Sequence, residues 1–455
     1  MPIDFTLTAE QEQIQKTARE FAQHTLKPIV EEASEEPDPQ KAFAMTKPAY
    51  EEAYKAGFAM CFLPEEYGGS GLSNVDYLIA AEEVSTVDPG FATTLLVNGL
   101  ALLPVLWFGT DQQKDKWLKM ATNDRTNSFL AGWAVSEPPG APGGTANFDH
   151  PGKHPAGIQT TAEQDPATGE YVINGEKYWP TNCGGWDLEG ADVIVAIVRV
   201  DRSKGGTEGL GVAIIPRGTP GLRFRQPIRT IGQYLDQNNW FEIDNARVPE
   251  ENLFAIGNGD LVIQKAFTWS GAAAGASAVG NARAAYEWAL DWCKTYTAGS
   301  DKPIINYQNV GYLLTDIATK IEAARYLSWK AAHYLDTHDG EGQALGAMAK
   351  IYSGEILKEA VWQCMQVVGI NSVDRTNPLE KHMRESLIFP LYDTGNMGMQ
   401  RRKIWGVIAD PNFDSTVFMN NKTFRYKKSM EGYGTVAGGG TSSPERPEQV
   451  PSGAH

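Results

Sequence analysis

The feature that most limits what this chain can fold into is a change of pattern near residue 127 and its reversal near residue 251. Before the first point the sequence reads as helices. "TAEQEQIQKTAREFAQHTL" opens on Thr8 with Gln11 three residues on, the pairing of a reciprocal N-terminal cap. It carries Ile14, Ala18, Phe21 and Leu26 as an apolar stripe, and "NVDYLIAAEEVSTV" and "DQQKDKWLKMAT" have the same character. Between the two points lie "SFLAGWAVSE", "GIQTTAEQ", "EYVINGEKYW", "ADVIVAIVRV", "LGVAIIP" and "NNWFEI". These short β-branched or aromatic runs are separated by clusters such as "DPATGE" and "RSKGGTEG", which predicts an antiparallel β unit. After the second point helices return. "GAAAGASAVGNARAAYEWALDWC" sets Gly271, Gly275 and Ala278 close to one face, where a second helix can approach. Two further long stretches, beginning "VGYLLTD" and "ALGAMAK", complete the signal of a bundle. The expected fold class is α+β and multi-domain: a helical unit over 1–126, a β unit over 127–250 and a helical bundle over 251–430. Residues 431–455, rich in Gly, Pro and Ser, read as a disordered tail.

Charge and motif content exclude several function classes. Asp and Glu number 56 against 40 Lys and Arg, a net charge of -16, and no basic run offers phosphates a face. A nucleic-acid partner is therefore not expected. Cys61, Cys183, Cys293 and Cys364 lie far apart with no C-x-x-C pair, as reduced thiols do. The N-terminus lacks the charge and apolar pattern of a secretory or transit peptide, and the last residues are not a peroxisomal tail. The longest apolar runs, such as "ADVIVAIV", read as too short to cross a bilayer, so a cytoplasmic protein away from membranes is expected. No P-loop, no G-x-G-x-x-G after a strand and no G-x-S-x-G elbow occurs. The 7 histidines are scattered, and His333 and His338 do not share a helix face, so no metal site is expected.

One stretch stands out for its chemistry. In "LYDTGNMGMQRR", residues 391–402, Asp393 is the only acid between Glu385 and Asp410. Taken alone, Asp-x-Gly of this kind is a turn. A carboxylate among apolar neighbours is also what general-base catalysis uses, because burial raises its pKa toward working pH.

Several stretches bear on that choice together. "GFAMCFLPEEYGGSGLS" (57–73), "WAVSEP" (133–138), "INGEKYWPTN" (173–182), "ARVPEENLF" (246–254) and "LYDTGN" (391–396) resemble the acyl-CoA dehydrogenase superfamily in type, order and spacing. The resemblance covers roughly residues 5 to 410. "GGTANF", "GIQTTA", "EKYWPTNCGGWDLEGADV" and "FPLYDTGNMG" are most similar to the nitroalkane oxidase branch. The likeness implies an N-terminal helical domain, a central β domain and a C-terminal four-helix bundle. It also implies bound FAD, a homotetramer, and a small-molecule substrate whose carbon first loses a proton.

By the same resemblance Asp393 is the base, with Ser270 hydrogen-bonded to it. Phe389, Leu391, Tyr392 and Met397 would give an apolar setting, and Gly395 and Gly398 would let backbone come close. Trp179 would pack on the isoalloxazine, Thr181 would lie near flavin N5, and Trp133, Val135 and Ser136 would run along the ring. Gln366 and Gly369 would meet the FAD of a neighbouring subunit, and Gly395 and Asn396 are also placed at the cofactor. Three positions depart from the family pattern. Gln400 stands where an arginine is expected seven residues after the base, Ala298 stands for a phosphate-contacting arginine with Lys302 the nearest cation, and Ile370 replaces a glycine.

The activity implied is oxidation of a nitroalkane to an aldehyde or ketone plus nitrite, with O2 reduced to H2O2. An acyl-CoA dehydrogenase, or a relative acting on a specialised metabolite with Asp393 as base, is the alternative. A flavin monooxygenase and a non-catalytic relative that has lost FAD are further ones.

Overall fold

The structure, a computed structural model, describes residues 5–138, 157–204, 208–337, 343–393, 395–409, 411 and 413–415. The expected tail over 431–455, and the stretch "GGTANF" used above, lie outside the described residues.

The first unit holds α1 (Ala9–Phe21), α2 (Lys27–Ala33), α3 (Pro39–Met45), α4 (Lys47–Lys55), α5 (Asn74–Ser85), α6 (Pro89–Phe108) and α7 (Asp111–Thr122). Thr8 and Gln11 form the expected reciprocal cap of α1, and Thr110 with Gln113 repeats it on α7. Between α1 and α2 the helix widens over Ala22–Leu26, which accommodates an extra residue and keeps Leu26 on the buried side with Phe21. α6 is apolar on every face and is buried from Pro89 through Val105. It is long and apolar enough to cross a bilayer, which corrects the reading that every apolar run is too short. Thr93, Thr94 and Asn98 interrupt the run in sequence, but they turn inward to partners: Thr93 donates to Pro89 O at 2.9 Å and the Asn98 amide to Tyr50 Oη at 2.7 Å.

The second unit is one eight-stranded sheet: β1 (Ala131–Ala134), β2 (Thr161–Gln164), β3 (Tyr171–Thr181), β4 (Val193–Arg199), β5 (Leu210–Pro216), β6 (Leu222–Phe224), β7 (Asn238–Val248) and β8 (Leu253–Phe254). Its order is β6-β7-β3-β2-β4-β5-β8, with β1 beside β4. The purely antiparallel expectation needs correction, because β1 runs parallel to β4 over four residues and β2 meets β4 in parallel at Thr161 and Arg199. Short-range turn signals between runs carry no information on these non-neighbouring pairings.

The third unit is built on α8 (Gly259–Thr295), α9 (Gln308–Thr337) and α10 (Gln343–Val368), with α11 (Leu379–Ser386) and α12 (Arg401–Ile408) packed against α10. Among the described residues the fourth bundle member is therefore two eight-residue helices rather than one long one. The small residues of α8 act as expected. A methyl at Gly271 would stand 2.8 Å from Gly346 O of α10, one at Gly346 would stand 2.4 Å from Thr268 O, and one at Gly275 would stand 2.4 Å from Ser328 Oγ of α9. α8 and α10 thus touch backbone to backbone. Lys381 of α11 pairs with Asp88 at 2.7 Å and Glu385 at 3.4 Å, which ties the approach to the 390s segment to the start of α6.

Candidate active site

Two segments of the sheet, 133–138 and 173–182, are locked together. Tyr178 N donates to Ser136 O at 2.9 Å. Lys177, fully buried, donates to Val135 O at 3.1 Å and Ile197 O at 2.8 Å, and its ammonium lies 3.4 Å from the Glu137 carboxylate. Glu137 in turn accepts from Gln159 N at 2.8 Å, Thr160 N at 2.8 Å and Thr160 Oγ at 2.7 Å. A buried charge needs such a full set of partners. The result is a rigid floor that brings Trp133, Val135 and Ser136 to the end of β3, where Trp179 and Thr181 sit.

Trp179 is 42% exposed and its backbone is left-handed, with φ 75°, within the register shift between Tyr178 and Thr181. A bulky aromatic in that region is strained and marks a functional surface. Thr181 Oγ1 lies 3.2 Å from Asn238 Oδ1, and Ser136 is half-buried. Trp133 is buried, with its Nε1 lacking a hydrogen-bond partner among the described residues. Its ring meets Phe267 of α8 edge-on at 6.5 Å, one turn before Ser270. An exposed ring face, hydroxyls and an orphaned indole donor are the fittings a planar heteroaromatic cofactor requires, so the residues present fit a flavin.

Ser270 Oγ donates to Asp393 Oδ1 at 2.7 Å, which joins the two expected catalytic residues across 123 positions of sequence. Asp393 Oδ2 is buried without a hydrogen-bond partner among the described residues. Asp393 is also left-handed, with φ 53°. Burial pushes its pKa above the ordinary carboxylate range, while the ammonium of Lys350, the Ser270 bond and Lys403 pull it back. Among the described residues this is a carboxylate with one oxygen held and one unpartnered, its proton affinity raised by burial as a general base requires.

The surroundings differ from expectation in part. Phe389 is buried and Tyr392 half-buried, but Leu391 is 73% and Met397 81% exposed in the single chain, so these two do not line the carboxylate. Gln366 and Gly369 lie exposed at the end of α10, on the bundle rather than on the sheet. Gly395 is left-handed with φ 68° and open space around it, while Asn396 is buried, donating to Ile351 O at 3.3 Å with its Oδ1 3.4 Å from Lys350 Nζ. Gln400 is buried and donates to the Asp393 backbone oxygen at 3.0 Å. Arg401 forms a two-point pair with Glu355, 2.8 Å at each end, and does not reach Asp393. Lys302 is exposed, 4.8 Å over the Tyr307 ring, and Ala298 is left-handed with φ 50°.

Sequence reading missed Lys350 and Lys403. Lys350 donates to Phe389 O and sits 4.6 Å over the Tyr392 ring, clamping the segment that carries the base. A signal existed: Ala347, Lys350, Ser353 and Leu357 share the buried face of α10, an odd place for an unaccompanied cation.

A sheet floor with an open tryptophan, facing helices that bury one hydrogen-bonded carboxylate, defines a flavin-dependent oxidoreductase that acts on carbon acids. The comparisons with known proteins carry this to a family. Models of the acyl-CoA dehydrogenase N-terminal, middle and C-terminal domains match residues 8–124, 147–246 and 257–408. The chain belongs to the acyl-CoA dehydrogenase family, whose members are FAD flavoproteins. It is 31% identical to nitroalkane oxidase of Fusarium oxysporum over 90% of this chain and 96% of that one. A nitroalkane oxidase with an active-site aspartate changed to asparagine, crystallised with 1-nitrooctane, superposes with a TM-score of 0.85 at 30% identity, covering 91% of this chain and 99% of that one. Another with an active-site serine changed to alanine, crystallised with 1-nitrohexane, gives a TM-score of 0.85 at 31% identity over the same shares.

Proposed function

We propose that this chain is an FAD-dependent oxidase of small neutral nitroalkanes, with Asp393 as the base. The carrying observation is the Asp393 carboxylate: buried, raised in pKa, held through Oδ1 by Ser270 and unpartnered at Oδ2. Oδ2 takes the proton from the carbon next to the nitro group. Ser270 keeps the carboxylate aimed and withdraws charge from the other oxygen. The apolar wall from Phe389 excludes water, which keeps the base from being solvated. Bound FAD supplies the two-electron acceptor for the carbon so activated. Trp179, Thr181, Trp133, Val135 and Ser136 would hold that cofactor from the sheet, while Asp393 and Ser270 act from the helical unit. An active-site aspartate and an active-site serine in the related oxidases support the reading.

The reading includes a cytoplasmic homotetramer, with Gln366 and Gly369 reaching a neighbouring subunit's cofactor. Exposed Trp362, Ile370, Val373, Trp405 and Ile408 at the ends of α10 and α12 support a subunit contact there; light scattering of the purified protein tests the state.

The deciding experiment is anaerobic mixing of the FAD-loaded protein with a primary nitroalkane while the flavin absorbance is followed. Bleaching is expected. Asp393→Asn should stop it with the neutral nitroalkane but not with the preformed nitronate anion, which needs no base. A yellow protein that bleaches with an acyl-CoA and not with nitroalkanes would replace this reading with the dehydrogenase one.

A further inference from the structure

Gln400 occupies the position where an arginine beside the base is expected, and its amide bonds to the Asp393 backbone rather than to the carboxylate. Arg401 is engaged by Glu355 and by Asn396 O at 3.1 Å. Three residues past Gln400, one turn along α12, Lys403 is only 5% exposed. Its Nζ has no hydrogen-bond partner among the described residues. An ammonium withdrawn from water with no acceptor is unfavourable unless an opposite charge faces it. Gln400, one turn before Lys403, touches the Asp393 backbone, and the unpartnered Asp393 Oδ2 is the buried anion of the same segment; its field resists loss of the lysine proton, and Lys403 joins Lys350 and Ser270 in drawing it down.

Lys350 is the other buried cation there, 1% exposed, but it already clamps Phe389 O, Asn396 and the Tyr392 ring. The groups facing Asp393 are therefore Ser270 from α8, Lys350 from α10, Lys403 from α12 and Tyr392 on its own segment. Glu355, which faces Lys350, is countered by Arg401.

We propose that Lys403 is the positioning cation that keeps Asp393 ionised, supplying from the next turn of α12 the positive charge that position 400 lacks. Lys403 exchanges no proton with substrate; the proton passes from carbon to Asp393 Oδ2. The proposal rests on the reading of Asp393 as the base, and it explains how a carboxylate so deeply buried stays ready to accept a proton. Ser270 fixes its direction, Lys350 fixes its backbone and supplies the larger attraction, and Lys403 adds the second buried charge that holds it ionised.

The test is an infrared titration of the Asp393 carboxyl in the full-length, FAD-loaded protein, with the band assigned by its loss in Asp393→Asn. Lys403→Met should raise the midpoint by about one pH unit, the usual effect of removing one close counter-charge. Lys403→Gln, which keeps a polar tip without charge, should do the same, and Lys403→Arg should restore the parent value. The acidic limb of the flavin-reduction rate with a nitroalkane should move with it. An unmoved midpoint in the soluble Met or Gln variant overturns the proposal, as does an Arg variant that titrates like Met. The titration uses no substrate, so a protein that oxidises no nitroalkane still reports on Lys403. Failure of the functional reading is thereby distinguished from failure of this one.

Discussion

A residue kept for charge rather than for packing should make the protein less stable, and Lys403 allows that to be measured. Burial lowers its pKa from 10.5 to about 8, with the field of Asp393 opposing the fall. That fall makes holding the charged form in the folded state cost on the order of 3 kcal/mol, at about 1.4 kcal/mol per tenfold change in proton affinity. The attraction of Asp393 is already contained in that shift. Lys403→Met keeps most of the volume and removes the buried charge, and Asp393, titrating higher, can take up a proton rather than stay as an unpaired anion, so unfolding at pH 7 should require about 1–3 kcal/mol more free energy. The sign reverses intuition, since a variant whose base titrates out of its working range should resist urea better. The pH dependence fixes the cause. Below pH 8 the lysine is protonated in both folded and unfolded chains, and the whole difference is present. Between about 8 and 10.5 the unfolded chain binds more protons, so the parent gains stability as pH rises and the difference shrinks. Urea titrations of parent and variant at pH 7 and pH 10, at equal flavin saturation, make the comparison. A Met variant that is less stable than the parent by the same amount at both pH values would mean that Lys403 is held by packing, and the electrostatic argument would be wrong.

Other perturbations test other parts of the site. Ser270→Ala removes the 2.7 Å bond that lowers the Asp393 pKa, so the acidic limb of the rate profile should move upward and the rate at pH 7 should fall by about 1.5–3 kcal/mol in barrier, the range for a hydrogen bond to charge. A limb that stays in place in stopped-flow reduction would remove Ser270 from the site. Gly346→Ala puts a methyl 2.4 Å from Thr268 O, so it should force α8 and α10 apart and cost about 1–3 kcal/mol of stability in denaturant titration. Unchanged stability would show that the two helices do not meet as described. Trp179→Ala removes the exposed ring face, and FAD fluorescence on dilution should show faster cofactor release with little change in the urea midpoint of the flavin-free protein. Equal release rates would place the flavin elsewhere.

What was legible in the sequence follows from the range over which each signal acts. Caps such as Thr8 with Gln11 are set within one helical turn, and they form as read. Gly271 and Gly275 mark a face that must be approached closely, and a spacing of four residues is enough to see it. The resemblance pairs Asp393 with Ser270 across the sequence, and a 2.7 Å hydrogen bond joins them in the fold. Failures begin where tertiary placement decides. α6 carries no polar face, so periodicity does not reveal it, and only its burial on all sides explains the composition. Leu391 and Met397 are apolar neighbours of Asp393 in sequence yet are exposed in the single chain while Asp393 is buried, and the left-handed backbone at Asp393 and Gly395 is a turn that sequence spacing does not reveal. Lys403 shows the limit most clearly. In "QRRKIW" three adjacent cations read alike, but one helix turn separates their fates. Arg401 pairs with Glu355, Arg402 is half-buried, and of the three only Lys403 is withdrawn into the interior. A gap read at one position, Gln400, is thus informative only together with the helix phase that follows it. The arginine missing from the motif is a change of residue, and the charge it would carry is restored three positions later on the same face of the chain.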